Sequence, residues 1–214
     1  MRILIINPPH ESIGSRIPDD HLPPLGLLAI GGPLIDDGHQ VVLLDAEFGP
    51  MSQEEIVKRT ITYNPAVVML GHSGSTSAQP IISEITQKIK VALPQITIII
   101  GGVYPTYHWK QCLEDDPQID VVVCGEGEAI ARQLVMALAT QRELETVAGI
   151  AFRRNGEIIK TKAAPIIQDL DLYRVGWELM KPYHYSYWGG KKAVVVQFSR
   201  GCPYPCNYCG QSLF

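Results

Sequence analysis

No apolar run in this 214-residue chain approaches the ~20 residues needed to cross a bilayer. There is no run of Lys or Arg either, and the formal net charge is −4 with a pI near 5.8. Surfaces that neutralise phosphates are basic, so the balance argues against nucleic acid as a partner. No stretch reads GxGxxG and no Walker-type lysine follows a glycine-rich loop, which removes the dinucleotide fingerprint and the P-loop. Internal repeats and low-complexity tracts are missing too. Met1-Arg2 runs straight into a four-residue apolar stretch, without the pattern of a secretory signal. Cysteine is scarce: five residues, an odd count, with three in one loop, which does not suit a disulfide framework. A reducing, cytoplasmic compartment is expected. What is present is ordinary globular composition, 46% hydrophobic and 19% charged. It is enough for one full domain and part of another.

The clustered cysteines are Cys202, Cys206 and Cys209, spaced CxxxCxxC in a short loop rich in Pro and Gly. Three thiolates so close can converge on one metal centre. Three is too few for a closed structural zinc site, which takes four protein ligands. It suits an iron–sulfur cubane, normally held by four Cys, with one iron left for a substrate. A zinc site completed from elsewhere in the chain is the competing reading. With the aromatic Tyr208 before the last cysteine, the loop resembles the signature of radical S-adenosylmethionine (SAM) enzymes. The resemblance implies a [4Fe–4S] cluster on Cys202, Cys206 and Cys209, with SAM bound at the open iron. Arg200 and Gly201 would shape the loop, and Pro203 and Pro205 would stiffen it.

Upstream, apolar runs alternate with helical stretches. Ile3–Ile6, Val41–Leu44, Ala66–Leu70, Ile96–Ile100 and Val121–Cys124 read as five buried strands, since continuous apolar runs bounded by breakers fit parallel sheets. Helices are expected at about 25–37, with Gly38 just past its end, and from Ser52 to about Tyr63, with Glu55 as the capping-box partner of Ser52. Two more are expected at 80–92 and 129–139. The pattern predicts an α/β, doubly wound, mostly parallel five-stranded flavodoxin-like (Rossmann-like) sheet in the order 2-1-3-4-5 over residues 1–145. Ligands of such sheets bind at the strand C-termini, at the switch point between the first and third strands. Residues 146–190 read as a hairpin around Asn155-Gly156 followed by a linker. Residues 191–214 open with a further strand, Ala193–Phe198. In the radical SAM family that strand would begin a (β/α) barrel, of which this sequence would hold only the truncated start.

The five strands end in Pro8-Pro9, the polar loop 71–77, Gly101-Gly102 and Gly125-Glu126-Gly127-Glu128, apart from the second, which ends at Asp45. Small residues there let backbone approach a large ligand. The series resembles the cobalamin-binding domain that precedes the barrel in one radical SAM subfamily. That resemblance implies cobalamin as a cofactor. It places Pro8, Pro9, Ser73, Gly74, Ser75, Thr76, Gly101, Gly102, Tyr104, Gly125, Glu126, Gly127 and Glu128 in contact with it. The DxHxxG motif of many cobalamin proteins is absent: two residues before His10 stands Pro8, and three after it Ile13. A base-off corrin without a His ligand is therefore implied. His10 and His72 are expected to bond locally at strand ends, the other reading being an approach to the cobalt or a corrin amide. Glu128 also suits the first turn of a helix, where a carboxylate meets the positive dipole end. Cys112 and Cys124 read as small buried hydrophobes, and Tyr183, Tyr185, Tyr187 and Trp188 as linker packing.

Over 177–214, and more weakly throughout, the chain resembles the anaerobic magnesium-protoporphyrin IX monomethyl ester oxidative cyclases. This implies a tetrapyrrole substrate and formation of its isocyclic ring, with an external electron donor such as flavodoxin or ferredoxin. Two other functions share these features: a cobalamin-dependent radical SAM methyltransferase, and a non-catalytic cobalamin-binding module. The tRNA methylthiotransferases need three more cluster cysteines in the first domain, where this chain has only Cys112 and Cys124. No general acid or base can be named from the sequence.

Overall fold

The computed structural model describes residues 1–9, 22–72, 78–187, 190–202 and 204. Five parallel strands, β1 (Arg2–Asn7), β2 (Gln40–Asp45), β3 (Val67–His72), β4 (Thr97–Gly102) and β5 (Val121–Val123), lie in the order β2-β1-β3-β4-β5. Helices α1 (Leu25–Asp36) and α5 (Gly127–Ala139) cover one face. Helices α2 (Gln53–Tyr63), α3 (Gln79–Ala92) and α4 (Val103–Asp115) cover the other. Side chains alternate between the faces, so β1 sends Ile3 and Ile5 to the first core and Leu4 and Ile6 to the second. All four are buried, which is why the run shows no polar alternation. Among the described residues no helix is long and apolar enough to cross a membrane.

Among the described residues the sheet has seven strands, two more than the sequence suggested. The extra pair, β6 (Ile150–Arg154) and β7 (Glu157–Lys160), is the hairpin expected within the linker. It turns at Asn155 and Gly156, both at positive φ, as an Asn-Gly hairpin requires. β6 pairs antiparallel with β5, Val121 opposite Phe152. This covers an edge that would otherwise present unpaired backbone.

Two strand ends also differ from expectation. β3 and β4 continue through Gly71-His72 and Gly101-Gly102, which pair with each other. Glycine lowers strand propensity but does not block the ladder, and each segment finds a partner. Conversely, 193–198 is not a strand. Among the described residues its backbone joins no ladder beyond the Ala193 amide, which donates to the Tyr185 carbonyl at 3.4 Å, and Val194, Val196 and Phe198 are exposed. The pairing found nearby is a short ribbon, β8 (Ser186–Tyr187) with β9 (Lys191–Lys192).

The linker is docked on the domain. A Cβ at Gly32 would lie 2.1 Å from the carbonyl oxygen of Arg174, so only glycine lets this segment reach α1. There the Gly176 amide donates to the Leu28 carbonyl at 2.9 Å, and Leu179 enters the core.

Candidate functional site

In the central strands, Ile5, Met69 and Ile99 sit side by side on the face covered by α1 and α5. Two residues further on, the same face carries Gly71 beside Gly101. The two central strands thus carry no side chains at that level, between Asn7 of β1 and Val123 of β5. The gap is a cavity of about 680 Å³ at the strand C-termini, bounded by Leu27 and Ile30 of α1, Ala131 and Leu134 of α5, and the glycine floor. Its volume falls in the range of small-molecule sites, and its place is the switch point of the doubly wound sheet.

The rim is polar. Gly102 and Gly125 hold positive φ, +110° and +105°, which lets the chain turn sharply into α4 and towards α5. Glu128, in the first turn of α5, is only 5% exposed. Its carboxylate accepts from Arg200 Nη2 at 2.5 Å, and Glu126 lies 3.6 Å from Arg200 Nη1. Glu126 also accepts from the Ile167 amide at 2.5 Å. Burial works against the Arg200 charge, but the two carboxylates outweigh it and raise its pKa. On the other side Asn7 donates to Asp45 at 2.8 Å.

Of the expected cofactor contacts, Gly101, Gly102, Gly125, Glu126, Gly127 and Glu128 line the cavity. Pro8, Pro9 and Tyr104 do not. Pro8 and Pro9 end β1 beside it. Tyr104 packs on the opposite core and stacks on His108, centroids 4.4 Å apart. Ser73, Gly74, Ser75 and Thr76 lie outside the described residues, as do His10, Trp188, Cys206 and Cys209. Cys202 is exposed. Among the described residues no three His, Cys, Asp or Glu side chains converge as metal ligands. Cys112 is buried, its thiol pushed up to about 12 by burial. Cys124 is half-buried and pushed up to about 11 for the same reason, as befits packing residues.

Sequence reasoning missed the helix walls and the far wall, where Val195, Gln197, Arg200 and Gly201 close the cavity. The signal for the helix walls was the small and apolar surface of α1 and α5. Nothing in the sequence showed that the segment before the cysteines folds back onto the sheet.

The geometry agrees with the comparisons. The solved structure of a radical SAM methyltransferase from Kitasatospora setae, with cobalamin and a [4Fe–4S] cluster bound, overlays 99% of this chain and 41% of its own at TM-score 0.73 and 17% identity; at that identity the likeness is one of fold. An anaerobic magnesium-protoporphyrin IX monomethyl ester cyclase of Synechocystis is 59% identical over all of this chain, which spans 43% of that protein. An uncharacterized methyltransferase of Pyrococcus horikoshii is 30% identical over the whole chain and 46% of its own length. The chain thus spans less than half of these curated relatives. The family model described as the B12 binding domain matches residues 17–135, more than half of the sequence and most of the cavity's walls, and the chain belongs to that family.

Proposed function

We propose that this chain is the cobalamin-binding part, together with the cluster loop, of a cytoplasmic radical SAM enzyme that closes the isocyclic ring of magnesium-protoporphyrin IX monomethyl ester without oxygen. The observation that carries the reading is the 59% identity to the Synechocystis cyclase along the entire chain.

The described residues of the slot fit a corrinoid, and for the cluster the support is the cysteine spacing of the sequence. The paired glycines Gly71 and Gly101 leave a slot between apolar helix walls, suited to the flat nucleotide tail of a corrinoid. The rim residues Gly102, Gly125 and Gly127 let backbone approach the corrin amides. No side chain of a DxHxxG motif competes for the metal. For the cluster, Cys202, Cys206 and Cys209 supply the thiolate set that leaves one iron open. When bound, the cluster would deliver one electron to SAM and so start hydrogen abstraction from the substrate's side chain. The chain's own part is to hold, orient and shield. Leu27, Ile30 and Leu134 exclude water from the slot, and Arg200 with Gly201 joins the slot to the cysteine loop. The tetrapyrrole substrate and a flavodoxin- or ferredoxin-type donor belong to this reading.

The test uses the full-length enzyme, reconstituted anaerobically with iron, sulfide and hydroxocobalamin. Ring closure is expected with SAM and a reductant, and Cys202→Ala is expected to abolish it. Turnover that survives Cys202→Ala would sink the proposal. The 30% identity to the Pyrococcus methyltransferase favours a second reading, methyl transfer with the same cofactors. A methylated product in place of the new ring would select it.

A further inference from the structure

Arg200 stands two residues before Cys202, yet its guanidinium is held by the sheet domain. It bonds Glu128 at 2.5 Å and faces Glu126 at 3.6 Å, and both carboxylate side chains are only 6% exposed. Two acids so buried, in and just before the first turn of one helix, need a cation beside them, and Arg200 supplies it. Arg200 also lies in the wall between two cavities. One is the 680 Å³ slot. The other, of about 400 Å³, separates linker residues 166–171 from Phe198 and Ser199. Glu126 borders both, and it fixes the linker as well through the Ile167 amide. One knot of three side chains thus fastens the linker, the cysteine loop and the first turn of α5 around the mouth of the slot.

From this geometry we infer that Arg200 is a positioning residue: through Glu128 and Glu126 it couples occupancy of the cobalamin slot to the placement of the cysteine loop. The inference rests on the cobalamin reading above. A corrinoid whose tail occupied the slot would meet Gln197, Arg200 and Gly201 at its far wall. The ion pairs keep these residues from simply swinging away, so the neighbouring Cys202 responds.

The test reads the Cys202 thiol, not turnover. The full chain is kept reduced and free of iron, and cyanocobalamin is the probe because its cobalt is already capped. Iodoacetamide labelling is followed by peptide mass mapping. Cys112 and Cys124, with thiols pushed up to about 12 and about 11, are slow internal controls. Cyanocobalamin is expected to change the Cys202 labelling rate about fivefold or more, the lower end of ordinary coupling between sites. With cyanocobalamin raised until each variant is saturated, Arg200→Gln and, independently, Glu128→Gln are expected to lose that response, and Arg200→Lys to restore part of it. Far-ultraviolet dichroism identifies any variant that fails to fold, and the other variant then decides. Retained corrin with an unchanged Cys202 rate in the wild type, or an undiminished response in the folded variants, overturns the coupling alone. No retained corrin in the wild type overturns the cobalamin reading and the coupling with it.

Discussion

The hydroxyl of Tyr185 donates to Oδ2 of Asp45 at 2.7 Å, a bond that spans 140 residues of sequence. Asp45 ends β2 and is fully buried. Its other oxygen accepts from Asn7 at 2.8 Å and from the Glu47 amide at 3.2 Å. Tyr183 completes the clip: its hydroxyl accepts from the Asp45 amide at 2.8 Å and donates to the Leu43 carbonyl at 3.1 Å. Phe48 meets both rings edge-on, at 5.3 and 5.4 Å. The linker is thereby fastened beside the slot, on the strand whose carboxylate also holds Asn7 of its wall.

Tyr185→Phe is expected to destabilise the fold by about 1–3 kcal/mol at pH 7, because a buried carboxylate loses a donor. The alkaline limb carries a second signature. Burial first, and then the bond to Asp45, raise the Tyr185 pKa above the ~10 of an unfolded tyrosine. The unfolded chain therefore releases this proton while the folded chain keeps it. Stability from this group is complete below pH ~10 and is lost as pH rises beyond it. Urea titrations at pH 7, 10 and 11 should show a steep alkaline loss in the wild type and a shallower one in Tyr185→Phe. Equal slopes would refute the assignment.

Gly101→Leu should close the slot without unfolding the sheet. A Cβ there meets Val123 at 3.4 Å, an ordinary contact, and the remaining atoms enter space that is already vacant. The urea midpoint should move by less than the equivalent of ~1.5 kcal/mol, since filling a void adds contacts that offset strain. Hydroxocobalamin should be retained by the wild type after desalting and lost from the variant. Retention by a folded Gly101→Leu would place the corrin elsewhere.

The parallel sheet was legible because each central strand is an unbroken apolar run, Ile3–Ile6 being the plainest case, and burial on both faces demands that pattern. The slot floor was half legible. Gly101-Gly102 marked the place, but only the register, with Gly71 beside Gly101, shows two neighbouring strands bare at one level rather than two turns. The clip and the knot were not legible. Asp45 looks like a strand terminator, and nothing local links it to Tyr185. Arg200 looks like part of a loop motif, and its partners lie in and just before the first turn of a helix that begins at Gly127. Long-range polar pairs leave no periodicity in a sequence. The run 193–198 misled for the opposite reason: its composition favours a strand, but a strand also needs a neighbour.

Asp37 and Arg132 should make the fold acid-sensitive. Arg132 donates from Nε and Nη2 to the two carboxylate oxygens, at 2.8 and 2.5 Å, and joins α5 to the end of α1. Without that fork a carboxylate at a helix C-terminus would oppose the dipole. The bond from Arg132 is the main cause of the lowered Asp37 pKa. A depressed carboxylate contributes stability above its unfolded value of ~3.9, and that contribution is lost as pH falls through the folded value. Arg132 is 42% exposed, so solvent screening limits the effect to about 1 kcal/mol. Asp37→Asn should be less stable by that amount at pH 7, with the gap closing as pH falls from the unfolded value of ~3.9 through the lower folded one. A gap that persists in acid would mean the pair acts through packing, not charge.

Arg153 should prove a stability residue with no part in the slot. From β6 it donates to the carbonyls of Leu113 and, at 3.0 Å, Asp116, and through Nη1 to that of Ile119 at 2.8 Å. These lie at and just beyond the last turn of α4, where carbonyls have no helical partner. They sit at the end of the sheet where β5 begins, away from the cavity. Arg153→Met keeps the apolar stem but removes every donor: the Asp116 carbonyl keeps its bond from the Ile119 amide at 3.0 Å, whereas those of Leu113 and Ile119 lose this partner. A loss of about 2–3 kcal/mol is expected, in line with hydrogen bonds from a charged group. Arg153→Lys should recover little, because an ammonium cannot reproduce the planar fork. Hydroxocobalamin retention should match the wild type in both variants. A folded Arg153→Met that releases corrin, or one that melts like the wild type, would contradict this division of labour.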